Sequence, residues 1–195
     1  ICVVLCRLGN MSWTDDPEDD GWELAASRVI SSSYFVRVYL RVAGASEPES
    51  YTYTATATAN TLAYSCAYYG DYIKTGTLVS LISDTTYTTT NSILRAASLT
   101  TSENSTPIIF AGFGHKTYSF TIAEPSGWID AGYYYSSTTD FGAVQACIVQ
   151  ASQGATGTID ATFSRNDMYL KHAFLIALNP APPNTRRRLF NRAAI

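Results

Sequence analysis

The chain has 195 residues, of which 46% are hydrophobic and only 15% are charged, and its formal net charge is −3. That length predicts one large domain or two small ones, and the low charge argues against a disordered chain or one that wraps nucleic acid. Many threonines, fourteen tyrosines and only three lysines predict β structure. No run of eighteen apolar residues occurs, so we expect no membrane span, and no secretory signal pattern is visible.

The first third of the chain predicts several strands. ICVVL at 1–5 is a short apolar run, and YFVRVYLRV at 34–42 alternates apolar and larger or charged side chains with a period of two. YTYTATATA at 51–59 alternates threonine with tyrosine or alanine, which predicts a half-buried strand with one hydroxyl face. AYSCAYY at 63–69 predicts another strand.

An acidic segment, DDPEDD at 15–20, precedes the second predicted strand. Its carboxylates are oxygen ligands of the kind that Ca²⁺ prefers, although the segment lacks the spacing and central glycine of an EF-hand loop. Three interpretations stay open: a solvated loop, a docking surface for a basic partner segment, and a weak calcium site. The candidate ligands of that weak site are Asp15, Asp16, Glu18, Asp19 and Asp20.

The middle of the chain, residues 71–106, is rich in serine and threonine and has two apolar patches. We expect this linker to be an exposed excursion with one or two strands. The second half then predicts four more strands, at PIIFAGF (107–113), GAVQACIV (142–149), GTIDATF (157–163) and YLKHAFLIAL (169–178).

Three consecutive tyrosines, Tyr133, Tyr134 and Tyr135, lie in a serine- and tyrosine-rich stretch of the second half. Tyrosine offers a rigid amphipathic contact surface at a low cost in conformational entropy. Packing at a strand edge, a subunit interface and contact with a host-surface glycan are the three roles that this stretch allows.

The two halves repeat each other. An ungapped shift of 106 positions gives thirteen identities between residues 21 and 69 and their counterparts, and it aligns Gly21-Trp22 with Gly127-Trp128. We therefore predict one sandwich domain over 1–180, built from a duplicated four-strand unit (1–70 and 107–178), with eight or more strands in a jelly-roll-like fold. Trp22 and Trp128 are predicted to be structural and to cover the core at the start of a strand, with a sugar-stacking platform as the other interpretation.

Residues suited to catalysis are few. His115 falls in a predicted loop and His172 in the closing strand, and neither has a nucleophile at a recognisable spacing, so we expect no enzyme, no cofactor and no metal centre. The four cysteines show no zinc-binding spacing. Cys2 and Cys6 would share one strand face too far apart to bond, which leaves buried free thiols or one disulfide between distant strands.

The C-terminal segment, residues 181–195, combines a proline-rich start with an arginine triplet. All sixteen acidic residues precede position 186, so the body carries −7 and the end of the chain +4. We expect an extended arm that binds a neighbouring chain, and nucleic acid is an unlikely partner because phosphate would repel the acidic body. The residues that would make the contact are Arg186, Arg187, Arg188, Leu189, Phe190 and Arg192.

Several segments together resemble a β-sandwich module of tailed-phage structural proteins. They are GWELAAS (21–27), VRVYLRVAGASEPESYTYTATA (36–57), AYYG (67–70), SGW (126–128), GATGTIDATFS (154–164) and FLIALNP (174–180). The resemblance covers about residues 1 to 180, and its most specific part is RVAGASEPESYTYT at 41–54. The basic arm lies outside the module.

The resemblance implies a structural protein of the virion, assembled in the host cytoplasm: a capsid decoration or head-fibre subunit, or a tail-fibre subunit. Such a protein would be a homo-oligomer, with a trimer favoured, and its arm would attach it to other virion proteins. A host-receptor or carbohydrate-binding module is the alternative, and a glycan hydrolase with a carboxylate pair is a remote one.

Overall fold

The structure is a computed structural model, and it describes residues 2–9, 15, 17–31, 34–44, 46, 48, 51–54, 62–68, 79–87, 91–116, 118–136, 140–168 and 170–179. Within these ranges the chain is all-β, as predicted, with antiparallel strands and a single short 3₁₀ helix at Pro17–Asp20. The strands are β1 Cys2–Gly9, β2 Glu23–Ser31, β3 Tyr34–Val42, β4 Leu62–Tyr68, β5 Val79–Tyr87, β6 Ile93–Ala96, β7 Thr100–Thr101, β8 Thr106–His115, β9 Ile122–Ala123, β10 Ile129–Ser136, β11 Phe141–Gln150, β12 Gly154–Ala155, β13 Ile159–Phe163 and β14 Leu170–Leu178.

The first sheet has the strand order β2-β3-β1-β4. β3 coincides with the alternating segment YFVRVYLRV, and Val36, Val38 and Leu40 on its inner face are completely buried. Period-two alternation predicts this because one face of the strand contacts the core. The strand expected at 51–59 is absent from its described part, since residues 51–54 belong to no strand, and residues 55–59 lie outside the described ranges.

The second sheet has the order β10-β11-β8-β14-β5. Its central strands β8 and β14 are buried on both faces along almost their whole length. Strands covered on both sides have nearly continuous apolar sequences rather than alternating ones. The runs PIIFAGF and AFLIAL of these strands have that character.

A third layer covers one face of the second sheet. The small sheet β6-β13-β9 lies there. The strands of the two-stranded pair β7-β12 are chain neighbours of this sheet, since β7 comes after β6 and β12 comes before β13. Leu94 and Ala96 of β6 are completely buried in the shared core, and β5 extends the second sheet itself. The expectation that residues 71–106 form an exposed excursion was therefore wrong at residues 94–99, because Leu94, Ala96 and Leu99 are part of the core.

Two glycines allow this layer to approach closely. A Cβ atom on Gly112 would lie 2.5 Å from Leu94 Cδ2, and one on Gly114 would lie 2.5 Å from Phe163 Cε1. Both distances are far below van der Waals contact, so a Cβ atom at either position would force the facing Leu94 or Phe163 side chain to shift.

Contacts between edge strands relate the first two sheets. β2 lies beside β14 and β5, and β4 lies beside β10 and β11. The first four strands and the strands β8, β10, β11 and β14 also share one spatial order, with β2-β3-β1-β4 matching β10-β11-β8-β14. This order differs from the 4-1-2-3 order of a Greek key, the unit from which jelly rolls are built.

A β-bulge occurs at the same place in both halves. The ladder between β2 and β3 shifts register between Leu24 and Ala26, and the ladder between β10 and β11 shifts between Asp130 and Gly132. The two irregularities are 106 positions apart, which is the offset that aligns the two sequences. A bulge adds one residue to one strand and changes the direction of the side chains beyond it. The same change therefore occurs in β2 and in β10.

Candidate functional site

Each Gly-Trp pair forms the turn into a strand. Gly21 and Gly127 both have positive φ values, of 79° and 81°, which glycine adopts without steric cost. At the first turn, Trp22 N donates to Pro17 O and Gly21 N to Glu18 O, a Schellman arrangement that ends the 3₁₀ helix. Strands β2 and β10 begin at the residue after each tryptophan.

Trp22 lies at the centre of an aromatic cluster on the outer face of the first sheet. Its side chain is only 4% exposed and packs with Tyr39, which is completely buried, and with Tyr51 and Tyr53. The Trp22 and Tyr51 rings meet edge to face with centroids 5.4 Å apart, and the Tyr51 and Tyr53 rings are parallel at 6.5 Å. Residues 51–54, which were expected to begin a strand, thus cover this cluster with Tyr51 and Tyr53.

Arginines alternate with the aromatic rings on this face. The Arg37 guanidinium lies 5.0 Å from the Phe35 ring centre, and its Nη1 is 3.5 Å from Tyr39 Oη. The Arg41 guanidinium lies 5.5 Å from the Tyr51 ring centre and donates to the backbone oxygen of Asp20. Guanidinium groups over rings form cation–π contacts and keep their remaining N–H groups available as donors.

Strand register also opposes two arginine positions within the first sheet. Arg7 of β1 is the partner of Arg37 of β3, so two arginines occupy directly opposed positions. The same side of β2 carries Leu24 and Val29, which pair with Tyr39 and Phe35 and are 36% and 69% exposed. We call this surface the arginine face and define it by Leu24, Val29, Phe35, Arg37, Tyr39 and Arg41.

The acidic segment lies at one end of the arginine face. Glu18, Asp19 and Asp20 are exposed on the 3₁₀ helix, and Asp15 accepts a hydrogen bond of 2.8 Å from Thr54 N. Among the residues that the structure describes, no three histidine, cysteine or acidic side chains gather into a possible metal site. The weak calcium candidates Asp15, Glu18, Asp19 and Asp20 therefore form no such group, and Asp16 lies outside the described residues.

The three consecutive tyrosines have different environments. Tyr133 and Tyr135 pack against the core between the second sheet and the third layer, and Tyr133 Oη donates to the backbone oxygen of Phe120. Burial raises the pKa of Tyr133 to about 12. Only Tyr134 is exposed, at 46%, because it points to the opposite side of β10. Of the three tyrosines Tyr134 is thus the one that is largely open to solvent, and a glycan or interface contact of this stretch stays a prediction.

Trp128 has a different environment from Trp22. It is half-buried against the large core, with its ring 6.4 Å from that of Phe110. The two tryptophans share a turn but not a pocket, and Trp128 belongs to the packing of the third layer.

A polar cluster that sequence reasoning missed lies where β8 and β13 end. Asp167 accepts two hydrogen bonds of 2.9 Å from Arg165 and an ion pair of 3.2 Å from Lys116, and these partners hold the pKa of Asp167 well below its usual range. Arg165 also lies 5.3 Å from the ring centre of the exposed Tyr118. The short spacing between Arg165 and Asp167 was the one local signal for this cluster.

Lys171 is completely buried, which sequence reasoning also missed. Its Nζ donates to Asn91 O at 3.0 Å, to Asn91 Oδ1 at 2.6 Å and to Ile93 O at 3.0 Å. Burial lowers the pKa of this lysine. The ammonium therefore ties β14 to the start of β6 through neutral oxygens.

The two histidines lie in the paired strands β8 and β14, so the prediction that His115 falls in a loop was wrong. His115 is half-buried with its ring 4.7 Å from that of Phe141, and His172 is completely buried beside Phe174. Cys147 is a buried free thiol. The residues predicted for the C-terminal arm, from Arg186 to Arg192, lie outside the described ranges.

The chain matches no protein-family model, no curated protein and no solved structure. In the part of the chain that the structure describes, no helix is long and apolar enough to cross a membrane.

Proposed function

We propose that this chain is a structural subunit of a tailed-bacteriophage virion, a capsid decoration or head-fibre subunit or a tail-fibre subunit, that forms a homo-oligomer. The observation that carries the proposal is the placement of segment 41–54, the most specific part of the resemblance. Its first residue, Arg41, and its later residues Tyr51 and Tyr53 form the outer face of the first sheet together with Trp22. In this proposal that face is a surface for assembly.

We also propose that the sandwich arose by duplication of a four-strand unit. Thirteen identities at an offset of 106 support this, as do the shared strand order and the recurring bulge at Ala25 and Ala131. Jelly-roll connectivity of the eight strands stays part of the proposal as a prediction from their number. A duplicated sandwich is a rigid support for contact surfaces, a role that suits a structural subunit.

The C-terminal arm is proposed to attach the subunit to another virion protein. Leu189 and Phe190 would fill an apolar pocket, and the flanking arginines would pair with carboxylates. The composition of the arm supports this attachment, because four of the ten arginines of the chain lie within seven of its residues.

The test of this attachment is binding of the full chain to the isolated major shell protein of the phage whose genome encodes it. A variant with Arg186→Ser, Arg187→Ser, Arg188→Ser and Phe190→Ala should lose at least about tenfold in affinity, since each lost charged hydrogen bond contributes about 1.5 kcal/mol or more. Replacing three exposed residues of the body, Ser102, Thr158 and Ser152, with alanine is the control. Equal binding of the arm variant and the unmodified chain would overturn the attachment role.

Carbohydrate binding is the second candidate, and the half-buried parallel rings of Tyr51 and Tyr53 favour it. Aromatic faces stack on sugar rings, and nearby polar side chains supply hydrogen bonds. A screen of neutral and acidic oligosaccharides by calorimetry tests it. Binding that Tyr51→Ala abolishes and Tyr134→Ala leaves intact would assign the face to a sugar, and absence of binding would remove this candidate.

A further inference from the structure

The amino group of Lys171 is held against the side-chain amide of Asn91, a residue 80 positions away in the sequence. Its Nζ lies 2.6 Å from Asn91 Oδ1 and 3.0 Å from the backbone oxygens of Asn91 and Ile93. Because Oδ1 is bonded to Cγ, the separation of Nζ and Cγ exceeds the distance from Nζ to Oδ1 by at most about 1.2 Å. An amine and a carboxamide carbon, which can join in an amide bond, are thus fixed close together, and such positioning accelerates a reaction between two groups.

The surroundings of Lys171 favour the nucleophilic form of its amine. The residue is completely buried in β14, where its register partners are Gly114 of β8 and Tyr87 of β5. Burial lowers the pKa of the amine, so a larger fraction is neutral at a given pH than for a lysine in water. Only the neutral amine has the lone pair that attacks a carbonyl carbon, and desolvation activates lysine nucleophiles in this way. The hydrogen-bonded ammonium is therefore the resting state, and the neutral minority is the reactive one.

The Asn91 amide is oriented and polarised by the backbone that follows it. Its Oδ1 also accepts a hydrogen bond of 2.9 Å from Ile93 N, at the first residue of β6. A donor on this oxygen stabilises the negative charge that the oxygen gains when an amine adds to Cγ. Asn91 is only half-buried, so ammonia released from its side chain has a path to solvent.

We propose that Lys171 and Asn91 form an intramolecular isopeptide bond between β14 and the segment that leads into β6. Neutral Nζ adds to Cγ, the bond between Cγ and Nδ2 breaks, and Nδ2 leaves as ammonia with a proton that Nζ gives up. The products are a secondary amide and one ammonia molecule, so the reaction needs no cofactor and no oxidant. The inference goes beyond the proposed function and does not depend on it, because the link lies within one chain.

This bond would join the second sheet to the third layer. β14 belongs to the second sheet and β6 to the small sheet that covers it. The linked residues are 80 positions apart, and a cross-link that closes a long loop restricts the unfolded chain and so stabilises the folded one. The reacted chain should therefore unfold at a higher denaturant concentration than the unreacted chain.

Intact mass spectrometry of the full chain, held for several days at a series of pH values from 7 to 10, tests the proposal. We expect a species that is lighter by the mass of one ammonia molecule. Its rate of formation should rise about tenfold per pH unit while most of the amine is protonated. Trypsin should not cut this species after Lys171, and it should release residues 75–95 linked to residues 166–186.

Two substitutions and a matched control assign the bond to its residues. Lys171→Met and Asn91→Ala should each abolish the linked peptide, whereas Lys116→Met, at a lysine paired with Asp167, should leave it intact. The peptide map of the unmodified chain gives the answer even if the first two variants are unfolded. Full mass at every pH would overturn the inference, as would loss of ammonia without the linked peptide, the result of ring closure of Asn91 on its own backbone. Neither result bears on binding to the shell protein, which tests the proposed function separately.

Discussion

At the scale of single residues, Lys171 and His115 are both ionisable groups whose surroundings disfavour the charged form. Lys171 retains its ammonium by donating to three oxygens of Asn91 and Ile93. His115 has a pKa below its ordinary value of 6.5 because burial disfavours the imidazolium, although the nearby Asp140 carboxylate acts in the opposite direction. Both effects follow from desolvation of a charge.

Replacing Lys171 with methionine should destabilise the fold by about 3 kcal/mol, because three oxygens of Asn91 and Ile93 would lose their charged donor. Chemical denaturation measures this loss. Lys116→Met is the matched control, since its ion pair with Asp167 lies near the surface and should contribute about 1 kcal/mol or less. Equal effects of the two substitutions would contradict the structural role of Lys171.

His115 should make the stability of the fold depend on pH. Because its pKa is lower in the folded state than in the unfolded chain, the unfolded chain takes up the proton first as pH falls below about 6.5. The contribution of His115 is therefore present above that pH and is lost below it. The unfolding free energy of His115→Phe should decline less between pH 7 and pH 5 than that of the unmodified chain; an unchanged slope would contradict this.

At the scale of elements, the two Gly-Trp turns share their backbone geometry and differ in their packing. Gly21 and Gly127 have nearly equal φ values, and each turn leads directly into a strand. Trp22 is buried in a small cluster with Tyr39, whereas Trp128 is half-buried against the large core. Turn geometry is local and so recurs with the sequence, but the packing of each indole depends on side chains from other parts of the chain, such as Tyr51 beside Trp22 and Phe110 beside Trp128.

Trp22→Ala should therefore cost more stability than Trp128→Ala. Truncation of a buried tryptophan costs about 3–5 kcal/mol, and partial exposure of Trp128 reduces the area that its truncation uncovers. Thermal and chemical unfolding of the two variants, compared under one condition, measure the difference. A larger loss for Trp128→Ala would contradict the packing described for the two clusters.

Sequence reasoning succeeded where one strand face is buried and failed where burial depends on distant segments. The alternation in YFVRVYLRV gave the bounds of β3, and the continuous apolar runs gave β8 and β14. The alternation in YTYTATATA predicted a strand, but at Tyr51 and Tyr53 it instead places rings on the Trp22 cluster. Alternation of side-chain type along a sequence indicates which side of a segment is buried. By itself it cannot distinguish a hydrogen-bonded strand from an extended segment.

The candidate site was only partly visible in the sequence for the same reason. Trp22 and the acidic segment stood out locally, whereas the opposition of Arg7 and Arg37 depends on the pairing of β1 with β3. The contact of Lys171 with Asn91 likewise spans 80 positions. Such non-local pairs follow from register and topology, which a single sequence leaves open.

At the scale of the whole molecule, two sheets of equal strand order differ in what covers them. The second sheet has a third layer on its outer side, and the first sheet carries the arginine face with the acidic helix beside it. Leu24 and Val29 of the first sheet are exposed beside this well-packed core.

The mass of the full chain in solution at micromolar concentration and low salt, determined by light scattering, is the most direct test of the proposed assembly. One copy has a mass of 21.2 kDa. We expect an assembly with a mass that is a multiple of this value. A mass of one copy at every protein and salt concentration would contradict it.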